Sequence, residues 1–339
     1  MESENVPHCE PESRHFVSTI VTVLITGATG FAGSHMCEYL LEQGAEVYGT
    51  YIYQEELGRF PERLRNNVHL RKCDLAEIDQ VRALFQGPCF DRVYNLAAIS
   101  SVHQSWSKGQ DVVLRVNLYG WLNLIGTLHE FCPRARVLMV SSGEVYGIVP
   151  EDRQPVSEQF PLQPINPYAD SKAAQEMFCY QYLHRHQSQI VIVRPFNHTG
   201  PRQSPSFVCS DFAKQIAEIE KGLRPPLMSV GNLEARRDFS DVRDMVRAYH
   251  AALEQAPIGI PMNAASGKAW SIQQVLDILL AHSRVSVEVQ QSHERLRPSD
   301  VPLMLGDASL LRQHTGWEPA IPFEKTLLDT LEYWRTQLA

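Results

Sequence analysis

Several things are scarce or missing in this 339-residue sequence, and each removes a class of function. No apolar run approaches the roughly 18 residues that a membrane-spanning helix needs, so no membrane role is expected. Lys and Arg together number 31 against 39 Asp and Glu, a net charge of -8, so no basic surface advertises nucleic acid. The seven cysteines (Cys9, Cys37, Cys73, Cys89, Cys132, Cys179 and Cys209) include no CxxC pair. Neither a disulfide framework nor a metal site is expected from them, and reduced thiols fit the cytosol. The opening stretch MESENVPHCEPESRH has no charged-then-apolar signal pattern, so residues 1–18 read as a disordered tail and the protein as cytoplasmic.

What is present describes a soluble globular enzyme, with 44% hydrophobic and 21% charged residues. An acidic chain still binds an anionic ligand where a few arginines converge in one cleft. Strand-like apolar runs at residues 21–25, 47–50, 68–70, 93–96, 137–140 and 190–193 alternate with helical spacing at 34–42, 79–85, 111–131 and 168–185. Such alternation predicts an α/β fold, with a parallel sheet covered on both faces. After Pro195 the pattern loosens, with helices expected over 207–221, from near Asp241, after Ser271 and over 324–337. The chain length suits about two domains. One spans residues 19–195; the other, 196–339, is a smaller α+β part from which some segments return to the first. Five prolines between Pro150 and Pro167 deliver the chain stiffly to Tyr168.

The stretch VLITGATGFAG puts Gly27, Gly30 and Gly33 directly after the first strand and at the start of the first helix. Gly27 permits a tight turn, Gly30 lets the backbone approach a pyrophosphate, and Gly33 lets helix and strand pack closely. The helix N-terminus then offers N–H groups and a positive dipole to phosphate. This predicts a dinucleotide site, the alternative being a tight turn with no ligand. The second strand ends in Thr50, Tyr51 and Ile52, neither acid nor arginine, while Glu55, Glu56 and Arg59 come late. NAD(H) and NADP(H) therefore both remain open. Asp74, in KCDL, either accepts from the adenine amino group or caps the next helix.

YADSK places Tyr168 and Lys172 at i and i+4, on one face of a predicted helix. A nearby ammonium stabilises a phenolate, which would bring the phenol toward the working range. SSGEVYG (141–147) closes an apolar strand and adds the Ser142 hydroxyl and the Glu144 carboxylate. His184 and His186, two apart on a helix, face different directions and read as a solvated face, not a metal pair.

TGATGFAG, NLAA (95–98), SSGEVYG and YADSK together resemble the extended short-chain dehydrogenase/reductase family of nucleotide-sugar enzymes. The likeness implies a Rossmann-type doubly wound parallel sheet with a C-terminal substrate domain. It assigns Ser142, Tyr168 and Lys172 as the catalytic triad. Thr29, Phe31, Asp74, Leu75, Leu96, Ala97, Ala98 and Asn117 join the three glycines, Tyr168 and Lys172 around the cofactor, with Asn117 supporting the active-site hydrogen bonds. The loop ISSVHQSW would line the sugar pocket, with Ser100 and Ser101 bonding hydroxyls, Trp106 serving there or in plain packing.

In the second half, RPFNHTGPRQ, VGNLEARRDFSD and LRPSDVP resemble the GDP-mannose branch, which holds 4,6-dehydratases and GDP-4-keto-6-deoxymannose reductases. By that likeness Asn197 and Lys214 contact the nucleotide-sugar, while Arg237 and Arg297 clamp its diphosphate. Alternatively Arg237 pairs with Asp238 or Asp241, and Arg297 with Asp300. Dehydratases of the family carry an acid or hydroxyl between the triad serine and the glutamate, to help the C6 hydroxyl leave. Here Gly143 stands in that place, which favours reduction of a C4 ketone. The expected reaction is NAD(P)H-dependent reduction of GDP-4-dehydro-6-deoxy-D-mannose to GDP-D-rhamnose or its C4 epimer GDP-6-deoxy-D-talose. The rivals are a 4,6-dehydratase or bifunctional enzyme, with Glu144 as base, and a silent cofactor-binding sensor. Glu144 could instead accept from a substrate hydroxyl or cap its own loop. Relatives also imply a homodimer through the helices at 111–131 and 168–185, whose outer faces carry Leu118, Leu122, Met177 and Tyr180.

Overall fold

The computed structural model describes residues 20–292 and 301–338; the expected tail at 1–18 and Arg297 lie outside the described residues. The first half runs through β1 (Thr22–Thr26), β2 (Glu46–Tyr51), β3 (His69–Lys72), β4 (Arg92–Asn95), β5 (Arg136–Val140) and β6 (Gln189–Pro195). The second half adds β7 (Asn197–Thr199), β8 (Leu227–Val230), β9 (Arg236–Asp241) and β10 (Pro261–Ala264). It ends with β11 (Ala269–Ser271), β12 (Glu288–Gln291) and β13 (Leu303–Met304).

Seven strands form one sheet in the order β10-β6-β5-β4-β1-β2-β3, and every pairing in it is parallel. The order reverses between β1 and β4, which makes this a doubly wound sheet with a ligand crevice at the carboxyl ends of those strands. Helices cover both faces, so the central strands are apolar almost throughout; β6 is buried from Ile190 to Pro195. One face packs Met36 and Leu40 of the helix Phe31–Glu42, and Met245, Tyr249 and Leu253 of the helix Val242–Gln255, on Val23, Ile25, Val191 and Val193. The other packs Val81, Trp121, Leu124, Leu128 and Cys179 on Leu24, Val93, Val137 and Ile190.

A third core joins the helices Val208–Glu220, Ile272–Ala281 and Phe323–Gln337 to Met228 and Phe239. It lies with a small sheet centred on β9, which pairs with β7 and β13 in parallel and with β11 antiparallel. A separate pair, β8 and β12, is parallel. The proline-rich stretch is pinned to this part: the Gln154 side chain bonds Leu303 O and Leu305 N, and Val156 N donates to Leu305 O. No helix among the described residues is long and apolar enough to cross a membrane.

One expected helix differs. Residues 111–131 are not one α-helix: Gln110–Val113 and Gly120–Phe131 are α-helical, and Leu114–Tyr119 between them is π-helical. The extra residue per turn rotates the helix beyond it, and such segments commonly mark functional sites. Asn117 sits inside this one.

Candidate active site

The glycine-rich turn is held from two sides. Gly27 N donates to Thr50 Oγ1 at 2.9 Å and Ala28 N to Thr50 O at 2.9 Å, fixing the turn to the end of β2. Gly27 has φ +64°, and a Cβ there would lie 2.9 Å from Ala97 Cα. A Cβ on Gly33 would meet Gly27 O at 2.1 Å, so only glycine lets the helix Phe31–Glu42 start this close to the turn. Gly30 is the exposed crest, and no side chain caps the helix behind it. An open crest and an uncapped helix N-terminus can hold a pyrophosphate, so these residues fit a dinucleotide. Thr29 lies beside the crest, and Phe31 begins the helix with its ring against His35 and stacked on His198.

Thr26 ties the crevice shut at its floor. Its hydroxyl donates to Asn95 Oδ1 at 2.8 Å and accepts from Leu96 N and Ala97 N, placing 95–98 beside the glycine turn. Ala98 is half-buried there. Asp74 Oδ1 accepts from Ala76 N at 3.0 Å, closing a turn. The next helix, Ile78–Leu84, has Glu77, not Asp74, as its N-cap, so the capping alternative is not the one formed. Leu75 is buried, its carbonyl bonded by Asn123. From the π segment, Asn117 bonds both backbone groups of Ile99 and donates to Ser171 Oγ at 2.9 Å, which in turn donates to Tyr168 O.

The helix Pro167–His186 carries Tyr168 and Lys172. Asn166 caps it, accepting from Ala169 N at 2.8 Å, with Pro167 at the first position. The same Asn166 side chain donates to Glu144 Oε2 at 3.4 Å, clamping the helix start to the turn after β5. Ser142 caps the short 3-10 turn Gly143–Tyr146 by accepting from Glu144 N, and its hydroxyl bonds the Tyr168 phenol. Tyr168, Ser142 and Glu144 are thus brought together at the carboxyl end of β5.

The phenol is not acidified. Burial pushes Tyr168 up to about 12, the Glu144 carboxylate adds to the rise, and only the Ser142 hydrogen bond opposes them. Lys172 Nζ lies 6.0 Å from the Tyr168 ring centroid and donates instead to Val140 O at 2.8 Å and Gln175 Oε1 at 3.2 Å. Burial lowers the ammonium to about 8. The expectation of a lysine-lowered phenol fails here because desolvation of a buried ring outweighs a cation held by other partners.

Beneath these groups lies a sealed polar network that nothing in the sequence pattern signals. Glu176 accepts from Arg194 twice, at 2.9 and 2.6 Å, and from Ser141 Oγ. Arg194 also donates to Tyr146 Oη at 2.9 Å, and Tyr146 donates to Asn263 Oδ1 at 2.7 Å. The network ties β5, β6, β10 and the catalytic helix into one block under Ser142. Asn166 is a further site residue that sequence reasoning missed, although Asn-Pro before a helical run is a readable start signal.

The remaining candidates are more dispersed. Ser100 is exposed, while Ser101 is buried and caps the helix Val102–Lys108 by accepting from Gln104 N. Trp106 is 59% exposed, so plain core packing does not account for it. Asn197 opens β7, opposite Phe239. Lys214 lies over the Trp334 ring at 5.5 Å and 3.4 Å from Glu218. Arg237 donates to the Val301 carbonyl. The carboxylates expected as its alternative partners have other donors: Asp238 accepts from Ser266, Gly267 and Gly306, and Asp241 from Arg243 and Thr326. His186 lies with its ring 4.2 Å from that of His129.

A family model described as GDP-mannose 4,6 dehydratase matches residues 24–330. The GDP-6-deoxy-D-mannose reductase of Pseudomonas aeruginosa is 32% identical over 316 residues, covering 93% of this chain and 98% of that one. Among solved structures, RMD from Pseudomonas aeruginosa complexed with NADPH has a TM-score of 0.81 at 30% identity, covering 94% and 99% of the two chains. UDP-glucose 4-epimerase of Thermus thermophilus, in complex with NAD, has a TM-score of 0.80 at 28% identity, covering 93% and 99%.

Proposed function

The chain belongs to the GDP-mannose 4,6 dehydratase family, and from that premise we propose that it is a reductase of the C4 ketone of GDP-4-dehydro-6-deoxy-D-mannose. It uses NADH or NADPH, and its product is GDP-D-rhamnose or the C4 epimer GDP-6-deoxy-D-talose. The reductase relative and the NADPH-bound and NAD-bound neighbours support this reading. The observation that carries it is the end of β5, where the Tyr168 phenol bonds the Ser142 hydroxyl and glycine stands between that serine and the one carboxylate.

Reduction and dehydration ask opposite things of the phenol. Dehydration begins by oxidising C4, which needs a phenolate as base; reduction ends by protonating an alkoxide, which needs a phenol as acid. Burial keeps the Tyr168 phenol in its protonated form at neutral pH, the form that reduction needs, and what separates the two reactions is the group beside Ser142. The glycine turn and Lys172 would hold a reduced nicotinamide cofactor, which would supply the hydride for C4. Ser142 holds the ketone oxygen and Tyr168 gives it a proton, downhill because an alkoxide is much the stronger base. Lys172, its ammonium held by Val140 O and Gln175, would orient the nicotinamide ribose, while Asn117 fixes the backbone beside it.

Expelling the C6 hydroxide would need a proton donor next to Ser142, and Gly143 has none. The Gly143 position is also confined: a Cβ there would lie 3.3 Å from three atoms of the Phe196 ring. Glu144 favours a second reading, bifunctional dehydratase and reductase, because its carboxylate, bonded by Asn166, stands beside Tyr168 at the end of β5, where the family likeness puts the base for the C5 proton. For the substrate we assign Ser100 and Ser101 to the sugar hydroxyls, Asn197 and Lys214 to the nucleotide-sugar, and Arg237 and Arg297 to its diphosphate.

The purified protein mixed with the keto-sugar should oxidise NADH or NADPH stoichiometrically and yield one deoxyhexose by nuclear magnetic resonance. Turnover of GDP-mannose without added reductant, and none of the keto-sugar, would reject the reading for a dehydratase. We further infer a cytoplasmic homodimer. Of the outer-face residues expected for it, Met177 and Tyr180 are exposed, whereas Leu118 and Leu122 are half-buried, Leu122 against the core. Val112 and Tyr119 are the exposed apolar positions on the 111–131 side, and sedimentation velocity distinguishes a dimer from a monomer.

A further inference from the structure

The residues that end β2 supply no group to read the adenosine ribose, yet a carboxylate stands there. After Tyr51 the chain turns and enters the short helix Glu56–Arg59, and the first residue of that helix folds back. Thr29 Oγ1, in the glycine turn, donates to Glu56 Oε2, and Tyr53 N, just past β2, donates to Glu56 Oε1 at 3.3 Å. One half-buried carboxylate therefore bridges the phosphate-binding turn and the strand end. In dinucleotide folds an acid in that position takes the ribose hydroxyls, normally from the strand end itself.

We propose that Glu56 is the ribose-reading acid of this chain and sets its cofactor choice to NADH over NADPH. The inference rests on the dinucleotide site argued above and adds a selectivity that the reading left open. A carboxylate accepts from two neutral ribose hydroxyls but repels a 2′-phosphate. Two of the neighbouring cations that could offset this are engaged elsewhere along the segment: Arg63 pairs with Glu38, and Arg65 donates to the carbonyls of Leu57 and Phe60. The Thr29 hydroxyl keeps the acid in place beside the turn.

The test is cofactor binding without substrate. The purified protein is titrated with NADH and with NADPH, and the nicotinamide fluorescence is followed alongside calorimetry. NADH is expected to bind at least about tenfold more tightly, the effect of one like-charge contact in a half-buried site. Glu56→Gln keeps the shape and the acceptor for Thr29 while removing the charge. It should bring the two affinities within roughly threefold of each other, with an unchanged melting temperature. Equal affinities in the unaltered protein would overturn the proposal and give the 2′-phosphate to Arg71 and Lys72, exposed at the end of β3. An NADH preference that Glu56→Gln leaves intact would overturn it too. If neither nucleotide binds, the reductase reading itself falls, and this inference with it.

Discussion

Arg194 and Glu176 form a two-pronged ion pair sealed from water, the guanidinium side chain 4% exposed and the carboxylate 0%. Glu176 sits one turn beyond Lys172 on the catalytic helix, and Arg194 near the end of β6. The pair therefore sets how far the helix stands from the sheet, and with it where Tyr168 meets Ser142. Removing one partner leaves the other buried and uncompensated. Glu176→Gln should destabilise the protein by about 3–5 kcal/mol, read as a lowered denaturant midpoint. Replacing both partners together with methionine should recover much of that loss, because a well-packed apolar pair replaces two desolvated charges. A double variant as unstable as the single one would assign the pair no such role.

Tyr168→Phe removes the proton donor and leaves the ring in place. Turnover of the keto-sugar should fall by roughly 10²–10⁴-fold, while nicotinamide binding stays within error of the unaltered protein. Stopped-flow measurement of nicotinamide oxidation separates the two quantities.

The pH profile should carry the signature of Lys172 and not of the phenol. With the ammonium lowered to about 8 and Tyr168 raised to about 12, both are protonated at neutral pH. As pH rises through about 8, Lys172 loses its charge while the phenol keeps its proton. Reduction should be flat on the acidic side of that point and fall above it, approaching about tenfold per pH unit. A plateau extending two units further would remove the ammonium from the chemistry.

Cys89 and Cys132 lie with sulfurs 2.6 Å apart, 43 residues apart in sequence. Cys89 is exposed and Cys132 buried, its thiol pushed up to about 12 chiefly by that burial. Treatment with glutathione disulfide should therefore join them, the intact mass falling by two hydrogens, and Cys89→Ser should abolish the change. Both cysteines precede the starts of their strands, β4 and β5, at the opposite end of the sheet from Ser142. Reductase activity should survive the link.

Local sequence carried the glycine turn, the Tyr168–Lys172 spacing and most of the parallel strands. Each of those depends on neighbours within a few residues, or on continuous apolar runs that the covered sheet demands. The small sheet around β9 was not readable, since β7, β11 and β13 are two or three residues long and take their partners from distant segments. The π segment around Asn117 was hidden inside a good helical pattern. Glu56 came too late after β2 to be recognised as belonging there, because the turn that folds it back leaves no periodic trace. The raised phenol was missed for a different reason: spacing reports proximity of charge, whereas the ordering of pKa effects depends on burial.

The way the chain shuttles has a practical meaning for anyone dividing it. It leaves the large sheet at Pro195, visits the small one, returns as the helix Val242–Gln255 and edge strand β10, then departs again. A fragment ending at Pro195 would bare Val191, Val193 and Leu138, which Met245 and Tyr249 otherwise shield, and would aggregate instead of standing alone. Split reporters, circular permutants and truncated expression clones of this protein must keep both passages together.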